Sequence, residues 1–228
     1  MRSVDLQQWE ASNLKWNPAD YGDTRSLIVP LDTIWRPDII LYNNADEEYR
    51  GIVETDPVLS YFGVVYWNAP ATFTSACQID TTYFPFDEQR CILKFGSWSY
   101  DIQGIDVVNR TAGGDTSSFV DNGEWDLLAM PIERHVVYYG CCVHPYPDIT
   151  FTVVIRRRPH FYMLNLMLPC LLTTFITALN FLLPADSGEK VGLVLTVLLA
   201  LTVFLLIVAE TIPPSEATPL ITKFFILT

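Results

Sequence analysis

Polar and apolar residues follow two different rhythms along this chain. Through the first 159 residues, short apolar runs break at turn residues every few positions. "DITFTVVIRRR" alternates cleanly, placing Ile149, Phe151, Val153 and Ile155 on one side of an extended segment. "RCILKFGSWSYD" alternates less cleanly, and "SLIVPLDTIWRPDIILYNNAD" holds two apolar runs around turn residues. "NRTAGGDTSS" and "DNGEW" read as loops. Runs rich in Val, Ile, Thr and aromatics at this spacing predict an antiparallel, immunoglobulin-like β-sandwich over residues 1–159.

After residue 159 the rhythm stops. Residues 161–183 carry no charge, and neither do residues 191–209. Each run can cross a hydrocarbon core of about 30 Å as a helix. Only PADSGEK separates them, which predicts a membrane hairpin within a segment 160–228. A third apolar stretch begins over 219–228. The expected fold is therefore an all-β sandwich followed by α-helical membrane spans. The opening MRSVDLQQWE does not read as a signal peptide, and PLITKFFILT breaks off inside an apolar run. The sequence reads as a piece of a longer chain.

Charge sharpens this picture. The net charge is -12, and of 26 acidic residues only Asp186, Glu189, Glu210 and Glu216 follow Leu183. An acidic domain ahead of a membrane entrance gathers cations and disfavours nucleic acid. Orientation is contested. Arg156, Arg157 and Arg158 just before the first span favour a cytoplasmic domain by the positive-inside rule. Cys77 and Cys91 frame a compact loop that a disulfide can close, and Asn109-Arg110-Thr111 is a glycosylation sequon. Large domains translocate regardless of local charge, so the cysteines decide for an extracellular domain.

No Gly-rich phosphate loop, zinc-type cysteine quartet or G-x-S-x-G motif is present, so enzyme chemistry has no support. Cys141-Cys142-x-His144 is poorly spaced for one metal ion, and no metal or cofactor is expected. Cys141 and Cys142 are awkward partners for each other. Neighbouring Cα atoms are about 3.8 Å apart, whereas ordinary bridges span roughly 4.4–6.8 Å. Reduced thiols, partners elsewhere, or a rigid knuckle at a loop tip all fit the local sequence. Tyr42, Trp98, Tyr139 and Tyr146 sit beside turn residues, where a sandwich carries binding loops, and aromatic faces attract organic cations. In the second span, helical spacing lines up Gly192, Thr196, Leu199, Val203, Leu206 and Glu210. Glu189 and Glu210 bracket it, roughly 31 Å apart along a helix. Such a stripe suits a pore helix with acidic mouths, and a pore needs several copies.

Five motifs occur in order: WRPD (35–38), LYNNAD (41–46), the Cys77–Cys91 loop containing FPFD (84–87), GSWSYD (96–101) and YGCC…PYPD (139–148). LPADSGEK (183–190) follows. Together they resemble the Cys-loop, or pentameric ligand-gated, receptors. Within these they are most similar to alpha-type nicotinic acetylcholine receptor subunits, with YGCC nearer the alpha9/alpha10-like and alpha7-like groups. The resemblance implies a Cys77–Cys91 disulfide and a vicinal Cys141–Cys142 disulfide at the tip of a mobile loop. It implies a cation cage of Trp98, Tyr42, Tyr139 and Tyr146, completed by a neighbouring subunit. The family often has a tryptophan five residues before the position of Trp9; here it is Val4. Either the complementary face is altered or the first residues are not native.

The resemblance further implies that Arg157 or Arg158 couples binding to gating, together with Phe84, Pro85 and Asp87. Glu189 implies cation selectivity, and Leu199 and Val203 a hydrophobic gate. Gly192 departs from the small hydroxyl residue usual there. The implied protein is a plasma-membrane, synaptic channel with an extracellular N-terminal domain. Its implied partners are an acetylcholine-like neurotransmitter, sodium, potassium and calcium ions, the lipid bilayer and four identical or related subunits. Alternatives are an anion-selective or differently gated member of the family, a membrane-anchored binding module, and a membrane hydrolase.

Overall fold

The computed structural model describes residues 2–46, 52–117, 119–120, 122–180, 182, 188, 190–211, 219–220 and 222–223, with no side-chain description for residues 2–6, 180, 209 and 211. It is a β-sandwich followed by helices. One sheet has the order β1-β5-β4-β2, from β1 (Arg2–Glu10), β2 (Ser26–Ile28), β4 (Val58–Ser60) and β5 (Val64–Thr72). The other has the order β3-β6-β9-β7, with β8 also paired to β9. Its strands are β3 (Ile39–Leu41), β6 (Glu88–Ser97), β7 (Trp125–Ala129), β8 (Ile132–Val137) and β9 (Tyr146–Arg157). The two apolar runs around WRPD become β2 and β3.

The chain forms two compact units. The first comprises residues 1–76, 93–110 and 133–150; the second comprises 77–92, 111–132 and 151–228. β6 and β9 each run from one unit into the other.

The first unit's core follows from strand periodicity. Along β5, Val65, Trp67, Ala69 and Ala71 are buried while Asn68, Pro70 and Thr72 are exposed. Leu41, Leu59 and Ile149 join the buried set. β4 turns into β5 through Gly63, whose φ of +84° is one that an L side chain resists. A Cβ there would also lie 2.8 Å from the Ala11 carbonyl oxygen.

In the second unit, Cys77 and Cys91 are bonded, as expected. The first span is not one uninterrupted α-helix. It runs as α1 (His160–Tyr162), a π-helical stretch Met163–Met167, then α2 (Leu168–Asn180). Pro169 supplies the reason: it lacks an N–H, and in an α-helix its ring would clash with the carbonyl of Asn165. The wider turn of the preceding segment relieves that conflict. The second span is α3 (Lys190–Thr211). Residues 160–179 and 190–208 are long and apolar enough to cross a membrane. Of the expected third span, Leu220, Thr222 and Lys223 are helical; most of its other residues lie outside the described set.

α2 and α3 pack together, and Phe84 joins them in a cluster with Leu166, Cys170 and Val208, flanked by Tyr162, Met167, Leu201 and Phe204. On α3 the less exposed positions are Leu193, Val197, Ala200, Leu201, Phe204 and Val208. The stripe Gly192, Thr196, Leu199, Val203, Leu206 and Glu210 is exposed on the opposite side. Glu189 lies outside the described residues.

Candidate ligand site and coupling cluster

The aromatic candidates are held by backbone that the loops themselves lock in place. Tyr42 follows β3 directly. Its backbone N–H donates to the Lys94 carbonyl at 2.8 Å, and its hydroxyl donates to the Ser97 carbonyl at 2.5 Å. Its ring meets Trp98 edge-on at a centroid distance of 6.3 Å. Trp98 is 71% exposed, so its indole face is open to solvent. The turn carrying Trp98 is clamped by Asp38 of WRPD. Ser97 Oγ donates to one carboxylate oxygen of Asp38 at 2.5 Å and the Ser99 N–H to the other at 2.8 Å. Burial works against the charge on Asp38, but these hydrogen bonds outweigh it and hold its pKa below the ordinary carboxylate value.

Tyr139 and Tyr146 form a second edge-on pair at 5.9 Å. Between them the chain turns through Cys141 and Cys142, whose sulfurs are bonded across Cα atoms 3.8 Å apart. The Cys142 N–H donates to the Tyr139 carbonyl, tightening the turn. Gly96 brings the two pairs together. A Cβ at Gly96 would lie 2.6 Å from the Tyr42 hydroxyl oxygen and 3.2 Å from the carbonyl of Pro147, the neighbour of Tyr146. Only a residue without a side chain leaves that space. The Tyr42 hydroxyl is pushed up to about 12, first by burial and then by the fields of Tyr139, Asp148, Asp38 and Tyr146.

Beneath Tyr42 lie a cation and a buried anion. Lys94 Nζ is 5.7 Å from the ring centroid and 3.0 Å from Asp148 Oδ2. Exposed aromatic faces with a fixed counter-charge suit a soft organic cation.

The second unit contains a different aromatic cluster. Arg157 is 6% exposed and makes two parallel contacts with Asp87, at 2.9 and 3.2 Å. A third contact reaches Glu124 at 2.7 Å. Its guanidinium lies 4.1 Å from the Trp125 centroid, 5.1 Å from Phe84 and 5.5 Å from Tyr162. Gln89 Nε2 donates to Asp87 at 2.7 Å. Burial opposes the charge on Arg157, but pairing with Asp87 overcomes it and raises its pKa. Arg158 instead pairs with Asp126 at the surface, and Arg156 with Glu88. Pro85 follows Phe84 through a cis peptide bond and is fully buried. Asn109 is exposed in the connection between β6 and β7.

Two family models cover this chain almost end to end. The neurotransmitter-gated ion-channel ligand binding domain matches residues 3–159, and the neurotransmitter-gated ion-channel transmembrane region matches residues 166–228. The chain belongs to the neurotransmitter-gated ion-channel family. Membership of this family places it among ion-channel proteins, not enzymes. The chain is 51% identical over 222 residues to neuronal acetylcholine receptor subunit alpha-9-II of Oncorhynchus mykiss, covering 97% of this chain and 40% of the relative. It is 50% identical to the alpha-9 subunit of Gallus gallus and 49% identical to the human alpha-10 subunit, covering 46% and 49% of them. It thus spans half or less of the length of these curated relatives.

The structure also places beside these candidates several residues that sequence reasoning passed over. Gly96 and Asp148 stood in quoted motifs without a role. Lys94 carried no motif at all. Glu124 and Trp125 were hidden in a loop signal. For Arg157 a usable signal existed: it shares strand parity with Ile149, Phe151, Val153 and Ile155, while Arg156 and Arg158 have the opposite parity.

Proposed function

We propose that this chain is part of a subunit of a ligand-gated, cation-selective channel, opened by acetylcholine or a similar organic ammonium at an extracellular subunit interface. The observation that carries the reading is the juxtaposition of Tyr42, solvent-facing Trp98, Tyr139 and Tyr146 around a vicinal cysteine turn, with Lys94 and Asp148 beneath. A quaternary ammonium group gains from such π faces and loses little water, because its charge is spread over its alkyl groups. Family membership and the names of the relatives support the same reading.

Gating follows from connectivity. β9 carries Tyr146 at one end and Arg157 at the other, a span of roughly 36 Å for an extended strand. Closure of the Cys141–Cys142 loop over a guest pulls on β9. Arg157, fixed to Asp87 and Glu124 beside Phe84 and Pro85, passes that strain to the spans; Arg158 has a lesser part. The guest must bind the open form better than the closed form. In a pentamer of identical or related subunits, the stripe Gly192, Thr196, Leu199, Val203, Leu206 and Glu210 faces the pore. Leu199 and Val203 close it by dewetting, and Glu189 with Glu210 attracts cations such as sodium, potassium and calcium. The sandwich lies outside the plasma membrane, carries a glycan at Asn109 and faces a synapse.

Expression of the full-length subunit with voltage-clamp recording tests this. Acetylcholine is expected to evoke a current whose reversal potential follows the sodium gradient. A reversal potential that follows chloride contradicts cation selectivity. Binding without current under any ligand favours the anchored binding module.

A further inference from the structure

Strand β8 carries a histidine that the cage does not use. His135 Nδ1 lies 3.2 Å from Asp148 Oδ1, and its Nε2 lies 3.5 Å from Glu133 Oε2. The Asp148 carboxylate is almost fully buried. Its Oδ1 also accepts from the Thr150 hydroxyl at 3.1 Å. Its Oδ2 faces Lys94 at 3.0 Å, but without hydrogen-bond alignment, so this buried oxygen has an ion-pair partner and no hydrogen bond. The charged groups around the imidazole are Glu133 and Arg134 on its own strand, Asp148 on β9 and Lys94 on β6. Arg134 is turned away, onto Asp106 and the Val107 carbonyl. One buried carboxylate is therefore shared between a lysine that touches the cage and a histidine that reaches the surface.

A neutral imidazole has one donor and one acceptor. With Nδ1–H donated to Asp148, Nε2 presents a lone pair towards Glu133. A protonated ring donates to both carboxylates. We propose that His135 is a positioning residue for the cage: it holds Asp148 against Lys94 and Tyr42, and its protonation weakens binding of an ammonium guest. Protonation adds one positive charge beside a carboxylate already committed to Lys94. Asp148 then shares its charge between two cations, and Lys94 beside Tyr42 is less well neutralised. The field of Asp148 reaches Tyr42, where it helps keep the hydroxyl protonated. This inference rests on the cage reading.

Displacement of a labelled competitor by acetylcholine tests it, using the full-length assembled receptor at pH about 7.5 and about 5.5, the range in which histidines change charge. Acetylcholine keeps its quaternary charge throughout, so the protein alone titrates. Affinity is expected to fall about fivefold between the two pH values in the native protein, the low end of ordinary coupling between sites. His135→Gln, whose amide can still donate to Asp148 but cannot gain a proton, is expected to flatten that profile. An equal fall in His135→Gln overturns the inference and leaves the cage standing. Absence of binding at both pH values overturns the cage reading and the inference with it. If His135→Gln does not assemble, calorimetry on the native receptor decides, in two buffers of different ionisation enthalpy. Linkage requires proton release on binding at pH about 6, and no release overturns the proposal.

Discussion

The two units each hold a cluster of aromatic rings beside charged groups, and burial makes them opposites. In the second unit the rings enclose a cation of the protein. Arg157 is shut in among Trp125, Phe84 and Tyr162, with Asp87 and Glu124 answering its charge. In the first unit the indole of Trp98 faces solvent, and the loops around it are locked by Asp38, Ser97 and Gly96. A buried aromatic–arginine cluster is a permanent fastening, because removing one charge strands another in low dielectric. An exposed cluster on a rigid base can exchange its cation with the outside. We propose that the same chemistry serves as a rivet in one place and a ligand site in the other.

Mutations can break that contrast. The largest effect is expected from Arg157→Gln, which leaves Asp87 buried and unpaired. It should cost about 3–5 kcal/mol, read as loss of assembled receptor and a lowered Tm. The neighbouring Arg158→Gln removes a half-exposed surface pair with Asp126 and should cost about 1 kcal/mol. Equal effects from the two would dissolve the distinction drawn here. Next comes Trp98→Leu. The side chain is mostly exposed, so Tm should barely move while affinity for a quaternary ammonium falls by about 2 kcal/mol, or roughly thirtyfold. Gly96→Ala pushes a methyl group into the Tyr42 hydroxyl. An overpacking cost of about 1–3 kcal/mol is expected, appearing as weaker ligand binding at nearly full expression.

The smallest effect concerns acid. The pKa of Asp38 is lowered in the folded protein, so its contribution is complete above the ordinary carboxylate range. It is lost as pH falls through the lowered value. Asp38→Asn should lower stability by a constant amount above the carboxylate range and weaken the fall of stability with pH on the acid limb. A profile identical to the native one, by thermal denaturation across pH, would remove Asp38 from its clamping role.

Much of this was legible in the sequence, for physical reasons that differ by region. β9 announces itself because period-two alternation is imposed by the pleat. The spans announce themselves because a bilayer demands length without charge. The aromatic quartet could be named, since turn residues mark the loops that carry them. Other features have no local signature. Along Pro147–Thr150 every residue is buried, because the polar side of β9, with Asp148 and Thr150, is covered by Lys94 and His135. Alternation separates apolar Ile149 from its polar neighbours there, but it does not reveal that both faces are covered. α3 is apolar all round, so its packing face through Leu201, Phe204 and Val208 appears only once α2 and Phe84 are in place. The π-helical turn was foreshadowed by Pro169, yet a uniformly apolar run gives no phase by which to place it.

The central claim is that the exposed rings recognise positive charge and not merely bulk. Its most direct measurement compares binding of acetylcholine with that of 3,3-dimethylbutyl acetate, its uncharged isostere, to the assembled full-length receptor. The account predicts that acetylcholine binds at least about thirtyfold more tightly, in line with a desolvated cation–π contribution, and that Trp98→Leu erases most of that preference. Equal affinity for the two compounds, or a preference untouched by Trp98→Leu, would contradict it.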